Sequence, residues 1–427
     1  MFQPQNAQSL LGVFLIIGFC WALSEARHRF PWKLAVGAVI AQGLLVLALF
    51  SLPATRGILG LAEAGVMGLS NATQTGVKFE FGFLAGGGGQ PYPVTDPSGL
   101  FLLAFRVLPV IVVICAFSAL LWHWKILKWL IQGFGFVFER AMGLRGAPAL
   151  ATAATIFMGQ VEGPIFIRNY LAHLTRSELF LLITVGMSCV AGSTVVAYAT
   201  ILNGVLPNAT AHVLTASLIS APAGVMLARI LAPRDPQAET PEAYNLAASK
   251  SYESSIDALM RGTTDGLQIV LAIGATLIVF VSLVALADGL LGLVGPVAGA
   301  PLSIERGLGY IFSPLAWAIG VPWGEARTAG SLLGAKLMLT EFTAFIEMGK
   351  LSVTQLDERS RMLMTYALCG FANVGSVGIN VAGYSILVPE RRSEVMAMVW
   401  KACMAGFLAT CLTAAVVGTL PAAIFTR

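Results

Sequence analysis

Two carboxylates stand in stretches apolar enough to be buried in a membrane. Glu162 lies in Ile156-Phe157-Met158-Gly159-Gln160-Val161-Glu162-Gly163-Pro164-Ile165-Phe166, and Glu341 in Leu337-Met338-Leu339-Thr340-Glu341-Phe342-Thr343-Ala344-Phe345. A carboxylate or carboxamide at membrane depth is costly unless it meets a partner, water or a substrate. Gly159, Gly163 and Pro164 point to a broken helix around the first acid. Each acid is followed by a polar, glycine-rich patch inside a second apolar run. The first is Gly186-Met187-Ser188-Cys189-Val190-Ala191-Gly192-Ser193-Thr194, and the second is Ala367-Leu368-Cys369-Gly370-Phe371-Ala372-Asn373-Val374-Gly375-Ser376. Helices that unwind at such patches expose backbone groups to a water-lined cavity. Two acids, two carboxamides (Gln160 and Asn373), hydroxyls and one aromatic ring then meet at the bilayer midplane. That set suits a neutral ligand rich in hydroxyl and amide groups, and two acids would repel an anion.

The elements that carry these groups are set by composition. The chain has 427 residues, 57% hydrophobic and 11% charged, with mean hydropathy +0.80. Soluble domains carry about 25% charged residues, so this is an integral membrane protein. Eight stretches approach the ~20 apolar residues of a span: 9–23, 34–52, 102–122, 179–202, 213–231, 267–287, 362–387 and 402–420. Met1 to Ser24 lacks a charged side chain and reads as a retained first span rather than a secretory signal. Residues 146–171 and 328–349 carry the buried acids and read as re-entrant hairpins. Residues 57–76 read as interfacial. So does an amphipathic helix within 239–265, with Tyr244, Ala248, Tyr252, Ile256 and Leu259 on one side and Lys250, Glu253, Asp257 and Arg261 on the other. Trp122, His123, Trp124, Lys125, Lys128 and Trp129 form an interfacial belt.

Lysine and arginine set the topology, with about two inside for each one outside when both termini are placed on the outer face. The first hairpin then enters from the cytoplasm and the second from outside, as an inverted repeat requires. The expected fold is an all-α integral membrane protein of about eight transmembrane helices plus two opposed re-entrant hairpins and interfacial helices. Residues 1–145 are expected to be a scaffold, 146–233 the first repeat half, 234–300 an interfacial helix and scaffold span, and 301–427 the second half. Glu325 and Arg327 are expected to pair and shape the second hairpin, with Lys336 and Glu347 as structural partners. The six cysteines, without a CxxC pair, read as reduced core residues, and the four scattered histidines as loop or packing residues. A net charge of +4 gives no reason to invoke nucleic acid. No H-E-x-x-H or G-x-S-x-G motif points to an enzyme. A channel would need a ring of like residues, whereas these acids lie on separate elements.

Gly159-Gln160-Val161-Glu162-Gly163-Pro164 resembles the G-Q-T-E-A-P hairpin of concentrative nucleoside transporters. The likeness continues through Arg168-Asn169-Tyr170-Leu171, Thr175-Arg176-Ser177-Glu178-Leu179-Phe180, Ala191-Gly192-Ser193 and Ser220-Ala221-Pro222-Ala223. It returns at Gly320-Val321-Pro322-Trp323, Thr340-Glu341-Phe342 (usually N-E-F), Thr365-Tyr366-Ala367-Leu368-Cys369-Gly370-Phe371-Ala372-Asn373 and Pro389-Glu390-Arg391-Arg392. The resemblance spans about residues 140 to 420. It implies a homotrimer in the cytoplasmic (inner) membrane that imports nucleosides by elevator-like alternating access, driven by protons or sodium, with no cofactor. The alternative is a carrier for another neutral polar solute such as a nucleobase. By position, Gln160, Val161 and Glu162 would face the nucleobase, with Thr194 and Phe371 near it. Glu341, Asn373 and Ser376 would bind ribose hydroxyls. The family's sodium ligands fall on Thr155, Met158, Cys189 and Val190. Thr155 replaces an asparagine and Cys189 a serine or threonine, which weakens oxygen ligation of a hard ion. This tilts the expectation toward protons, with Glu162 as their carrier. Val161, Gly163 and Thr340 are further departures, from threonine, alanine and asparagine.

Overall fold

The computed structural model describes residues 4–86, 102–106, 108–144, 146–160, 162–165, 167–202, 204–234, 252–293, 295–296 and 301–425. Among them the chain is helical, with no strand. The elements run α1 (Pro4–Ala22), α2 (Trp32–Ser51), α3 (Pro53–Phe81), α4 (Leu103–Arg106), α5 (Leu108–His123), α6 (Ile126–Met142), α7 (Ala147–Met158) and α8 (Glu162–Ile165). A 3₁₀ turn (Arg168–His173) leads to α9 (Arg176–Ser188), α10 (Gly192–Leu202), α11 (Ala209–Leu231) and α12 (Ser255–Gly292). The chain ends with α13 (Ile304–Ile319), α14 (Trp323–Met338), α15 (Glu341–Lys350), α16 (Glu358–Leu368), α17 (Val374–Leu387) and α18 (Arg392–Gly418).

All eight expected spans fall on helix. α1, α2 and α11 are each long and apolar enough to cross a bilayer alone, as is the helical run 389–418 that contains α18. α5 continues into α6 through an 80° bend, where Lys125 takes a left-handed conformation, φ 64°. The spans expected at 179–202 and 362–387 are each two half-helices, α9/α10 and α16/α17. Local capping chemistry sets where they start. Thr175 and Glu178 form a reciprocal capping box on α9, Asp357 caps α16 and Asn373 caps α17. The first hairpin turns at Gly159, whose φ of 113° and ψ of 178° no side chain tolerates well.

Three sequence expectations change. The second hairpin starts at Trp323 rather than 328, directly after Pro322, and its charged first turn disguised it. The amphipathic helix expected within 239–265 is not separate where it is described: α12 starts at Ser255 and runs unbroken for 38 residues, with Arg261 paired to Asp257 at 2.7 Å. Residues 235–251 lie outside the described residues. Glu325 and Arg327 point apart, being two residues apart on a helix. Glu325 accepts from the Asp357 backbone at 3.2 Å, while Arg327 reaches the Tyr310 hydroxyl.

Two amphipathic helices back the hairpins. α6 buries Ile131, Gly135 and Phe138 and packs on α7, with Gly135 against Leu150. α13 packs so closely on α14 that a Cβ at Gly330 would lie 2.5 Å from the Gly309 carbonyl. The halves therefore share one plan: backing helix, hairpin, broken helix, long helix. In each an arginine ties down the hairpin's exit. Arg391 donates to the carbonyls of Leu171 and Leu174 at 3.0 and 2.6 Å, and Arg361 to those of Leu356 and Leu351. α5 and α12 pack closely on each other, with Gly262 and Gly266 against Ala116 and Val112. α1 and α2 pack on α11 and α18.

Glu25, in the loop after α1, joins the start of α9 to α18 through Arg176 and Lys401. Burial raises its pKa, but hydrogen bonds from Arg176 and Lys401 outweigh this and hold it below the usual carboxylate range. A lowered carboxyl pKa contributes stability above the ordinary value, and that stability is lost as pH falls through the lowered one. Thermal melts of detergent-solubilised protein should fall more steeply below about pH 4 in the wild type than in Glu25→Gln. Parallel acid limbs would show that this cluster does not couple to folding.

Candidate functional site

Glu341 is the first residue of α15, where helix N–H groups and the dipole favour an anion. Thr340 caps this helix by accepting from the Thr343 backbone at 3.2 Å. The carboxylate is 6% exposed. It accepts from the Tyr198 hydroxyl at 2.7 Å and from Asn373 Nδ2 at 2.8 Å. A carboxylate has about four acceptor sites, so these two bonds orient it and leave capacity for ligand hydroxyls. The Asn373 oxygen accepts from the Ser376 backbone at 2.7 Å, so the residue that holds Glu341 also starts α17.

From there the polar groups form a chain. Gln160 Nε2 donates to Ser376 Oγ at 3.2 Å, and Gln160 Oε1 accepts from Asn380 Nδ2 at 2.9 Å. Asn380 Oδ1 is buried with no protein partner. The first hairpin, the second hairpin and the α16–α17 break thus meet in one network: Tyr198, Glu341, Asn373, Ser376, Gln160 and Asn380. An acceptor left over at each end and a carboxamide in the middle suit a small ligand with several donors.

The two breaks touch. The Phe371 backbone donates to the Cys189 carbonyl at 3.3 Å, and Ser217 Oγ donates to the Val190 carbonyl at 3.1 Å. A Cβ at Gly370 would lie 2.8 Å from the Ser188 carbonyl, so only glycine permits this crossing. The Phe371 ring packs at the edge of the core, half-buried.

Of the expected residues, Gln160, Glu341, Asn373 and Ser376 are joined directly. Thr194 is buried and donates to the Ala191 carbonyl at 2.8 Å within its own half-helix. Val161 lies outside the described residues, and of Glu162 the structure describes only its place at the start of α8. Tyr198 and Asn380 were missed. Each stands one helical turn beyond an expected residue, Thr194 and Ser376, which is the signal that would have found them.

The candidate cation positions line the end of α7 and the break after α9. Thr155 Oγ1 donates to the Ala151 carbonyl at 2.8 Å. Cys189 is buried and offers a soft sulfur, and its carbonyl and that of Val190 already accept the two bonds above. The six cysteines are free thiols.

Family comparisons cover most of the chain. Residues 11–84 match the Na+ dependent nucleoside transporter N-terminus, 104–205 a nucleoside recognition (Gate) model, and 212–418 the Na+ dependent nucleoside transporter C-terminus. The uncharacterized transporter YutK of Bacillus subtilis is 34% identical over 411 residues, covering 96% of this chain and 98% of its own. The nucleoside permease NupC of Helicobacter pylori is 31% identical over 417 residues, covering 96% of each. The structure of CNTnw in an inward-facing, substrate-bound state superposes with a TM-score of 0.88 at 34% identity over 97% of each chain. A CNTnw double variant in an outward-facing state gives 0.89. With a capped carboxylate and a carboxamide brought together at two helix breaks, and these relatives over nearly its whole length, the chain belongs to the concentrative nucleoside transporter family, which are multi-pass membrane transporters and not enzymes.

Proposed function

We propose that this protein imports nucleosides across the cytoplasmic (inner) membrane by secondary active transport. The observation that carries the reading is the oriented, buried Glu341 carboxylate, with Gln160 on the same hydrogen-bonded network. Two adjacent ribose hydroxyls suit the acceptor capacity left on Glu341, and the Gln160 amide suits a base edge. By motif position we assign Thr194, Phe371, Val161 and Glu162 to the base end and Ser376 to the ribose end. The permease name of the Helicobacter pylori relative supports the substrate class.

The two halves move as one body against the paired α5 and α12, in an elevator-like cycle. The segment 1–145 divides between these bodies, since α1 and α2 pack on α11 and α18 while α5 packs on α12. Both termini lie on the outer face, and three copies assemble. The coupling ion is the proton. Of the four candidate positions Thr155 alone offers a side-chain oxygen, and Cys189 offers a soft sulfur.

The test is uptake of radiolabelled uridine, adenosine and guanosine into proteoliposomes. Saturable, gradient-dependent uptake is expected, with uracil competing weakly. Flux that does not saturate would make it a channel. Uracil competing as well as uridine would make it a nucleobase carrier.

A further inference from the structure

The second hairpin carries a charge that nucleoside recognition does not use. Lys336 lies on α14, five residues before Glu341, and is 0% exposed. Its Nζ donates to the Ala367 carbonyl at 2.8 Å and to Thr410 Oγ1 at 2.7 Å, and sits 5.4 Å from the centre of the Phe407 ring. Ala367 belongs to the last turn of α16, where carbonyls lack helical partners and the negative end of the dipole gathers. Lys336 and Glu341 reach the same helix break: the ammonium holds the Ala367 carbonyl before it, and the carboxylate accepts from Asn373 after it. Other ionisable neighbours of the ammonium are the thiols of Cys369, Cys403 and Cys411. A wholly buried ammonium is costly, and an opposite charge on the same hairpin offsets that cost; Glu341 is the carboxylate so placed.

We propose that Lys336 is a positioning residue of the binding site, a cation built into the second half that neutralises Glu341 and ties its hairpin to the end of α16. Element order gives the comparison. In the first half, the last turn of α7 and the break after α9 hold the candidate cation positions Thr155, Met158, Cys189 and Val190. In the second half, the last turn of α14 delivers an ammonium to the end of α16 from the chain itself. Lys336 touches no substrate. It acts through Glu341, which must be both ionised and fixed to accept ribose hydroxyls.

The transport arm of the test rests on the carrier reading; the stability arm does not. Lys336→Met, Glu341→Gln and the double variant are compared with wild type in two ways: melting in detergent, and uridine KM and kcat in proteoliposomes. Lys336→Met should raise KM about tenfold, with a smaller change in kcat. The double variant should transport no worse than Glu341→Gln alone, because partners in one pair are not additive. It should also melt above Lys336→Met, since no lone buried charge remains. A Lys336→Met KM within about twofold of wild type, penalties that multiply, or a double variant that melts lowest would overturn the proposal. If Lys336→Met does not fold, Thr410→Val carries the test. It should raise KM about threefold beside Glu341 and not at all beside Gln at 341; equal effects in both backgrounds would overturn the proposal. Absence of uridine uptake by wild type would overturn the carrier reading alone, and the melting comparison would still decide the role of Lys336.

Discussion

Glu341→Gln is expected to raise the uridine KM roughly 10- to 150-fold while leaving a folded protein in the membrane. The carboxylate accepts from Tyr198 at 2.7 Å and Asn373 at 2.8 Å. A glutamine there must turn its NH₂ toward one of these two donors or toward the ligand. Either choice loses a charge-assisted bond, worth about 1.5–3 kcal/mol, or roughly 10- to 150-fold in affinity. The loss should fall on the ribose end. Inhibition by uridine should collapse, while any weak inhibition by free uracil should persist. Uridine uptake by Glu341→Gln near the wild-type level would sink the assignment of this carboxylate to the sugar.

Uptake should rise as external pH falls and should persist when choline replaces sodium. A pH difference of one unit corresponds to about 1.4 kcal/mol, enough to concentrate a co-transported neutral solute about tenfold. The structural ground is the state of the candidate sodium ligands. Thr155 offers one hydroxyl oxygen, Met158 and Cys189 offer soft sulfur, and Val190 offers no side-chain ligand. A site of that kind repays little of sodium's lost hydration. Under proton coupling Glu162 is the expected carrier, and Glu162→Gln should flatten the pH dependence. The deciding measurement is proteoliposome uptake under a sodium gradient at equal pH on both sides. Concentrative uptake there, absent with choline, would show that sodium drives the carrier, in keeping with the sodium dependence named for the family.

The path of the chain through the site was legible wherever a local rule set it. Gly159 marked the first turn, and the patches around Cys189 and Gly370 marked the broken spans. The S/T/D/N caps at Thr175, Thr340, Asp357 and Asn373 are sequence-local signals. Partners supplied by another element were not legible. Spacing from Thr194 could name Tyr198 as a site residue but not the carboxylate 143 positions away that it holds, and Thr410 lies 74 from Lys336. No spacing rule reaches across such separations. α6 and α13 escaped for another reason. Each is too short for a span and carries charges, such as Lys128 and Glu139 or Glu305 and Arg306, on an otherwise apolar helix. Read as lipid-crossing elements they fail, and only the hairpin packed on each explains its apolar stripe.

The bond from Phe371 to Cys189 has a consequence for biosynthesis. The first half is complete, in chain order, when α11 ends at Leu231. At that moment its broken helix still shows the Cys189 carbonyl to the bilayer, and Tyr198 has no carboxylate to hold. Both are satisfied only by residues that emerge more than a hundred positions later. Unpaired backbone and hydroxyl groups are costly in lipid, so the nascent chain passes through a stage in which its midplane is polar and open. Closure waits for α15 and α16.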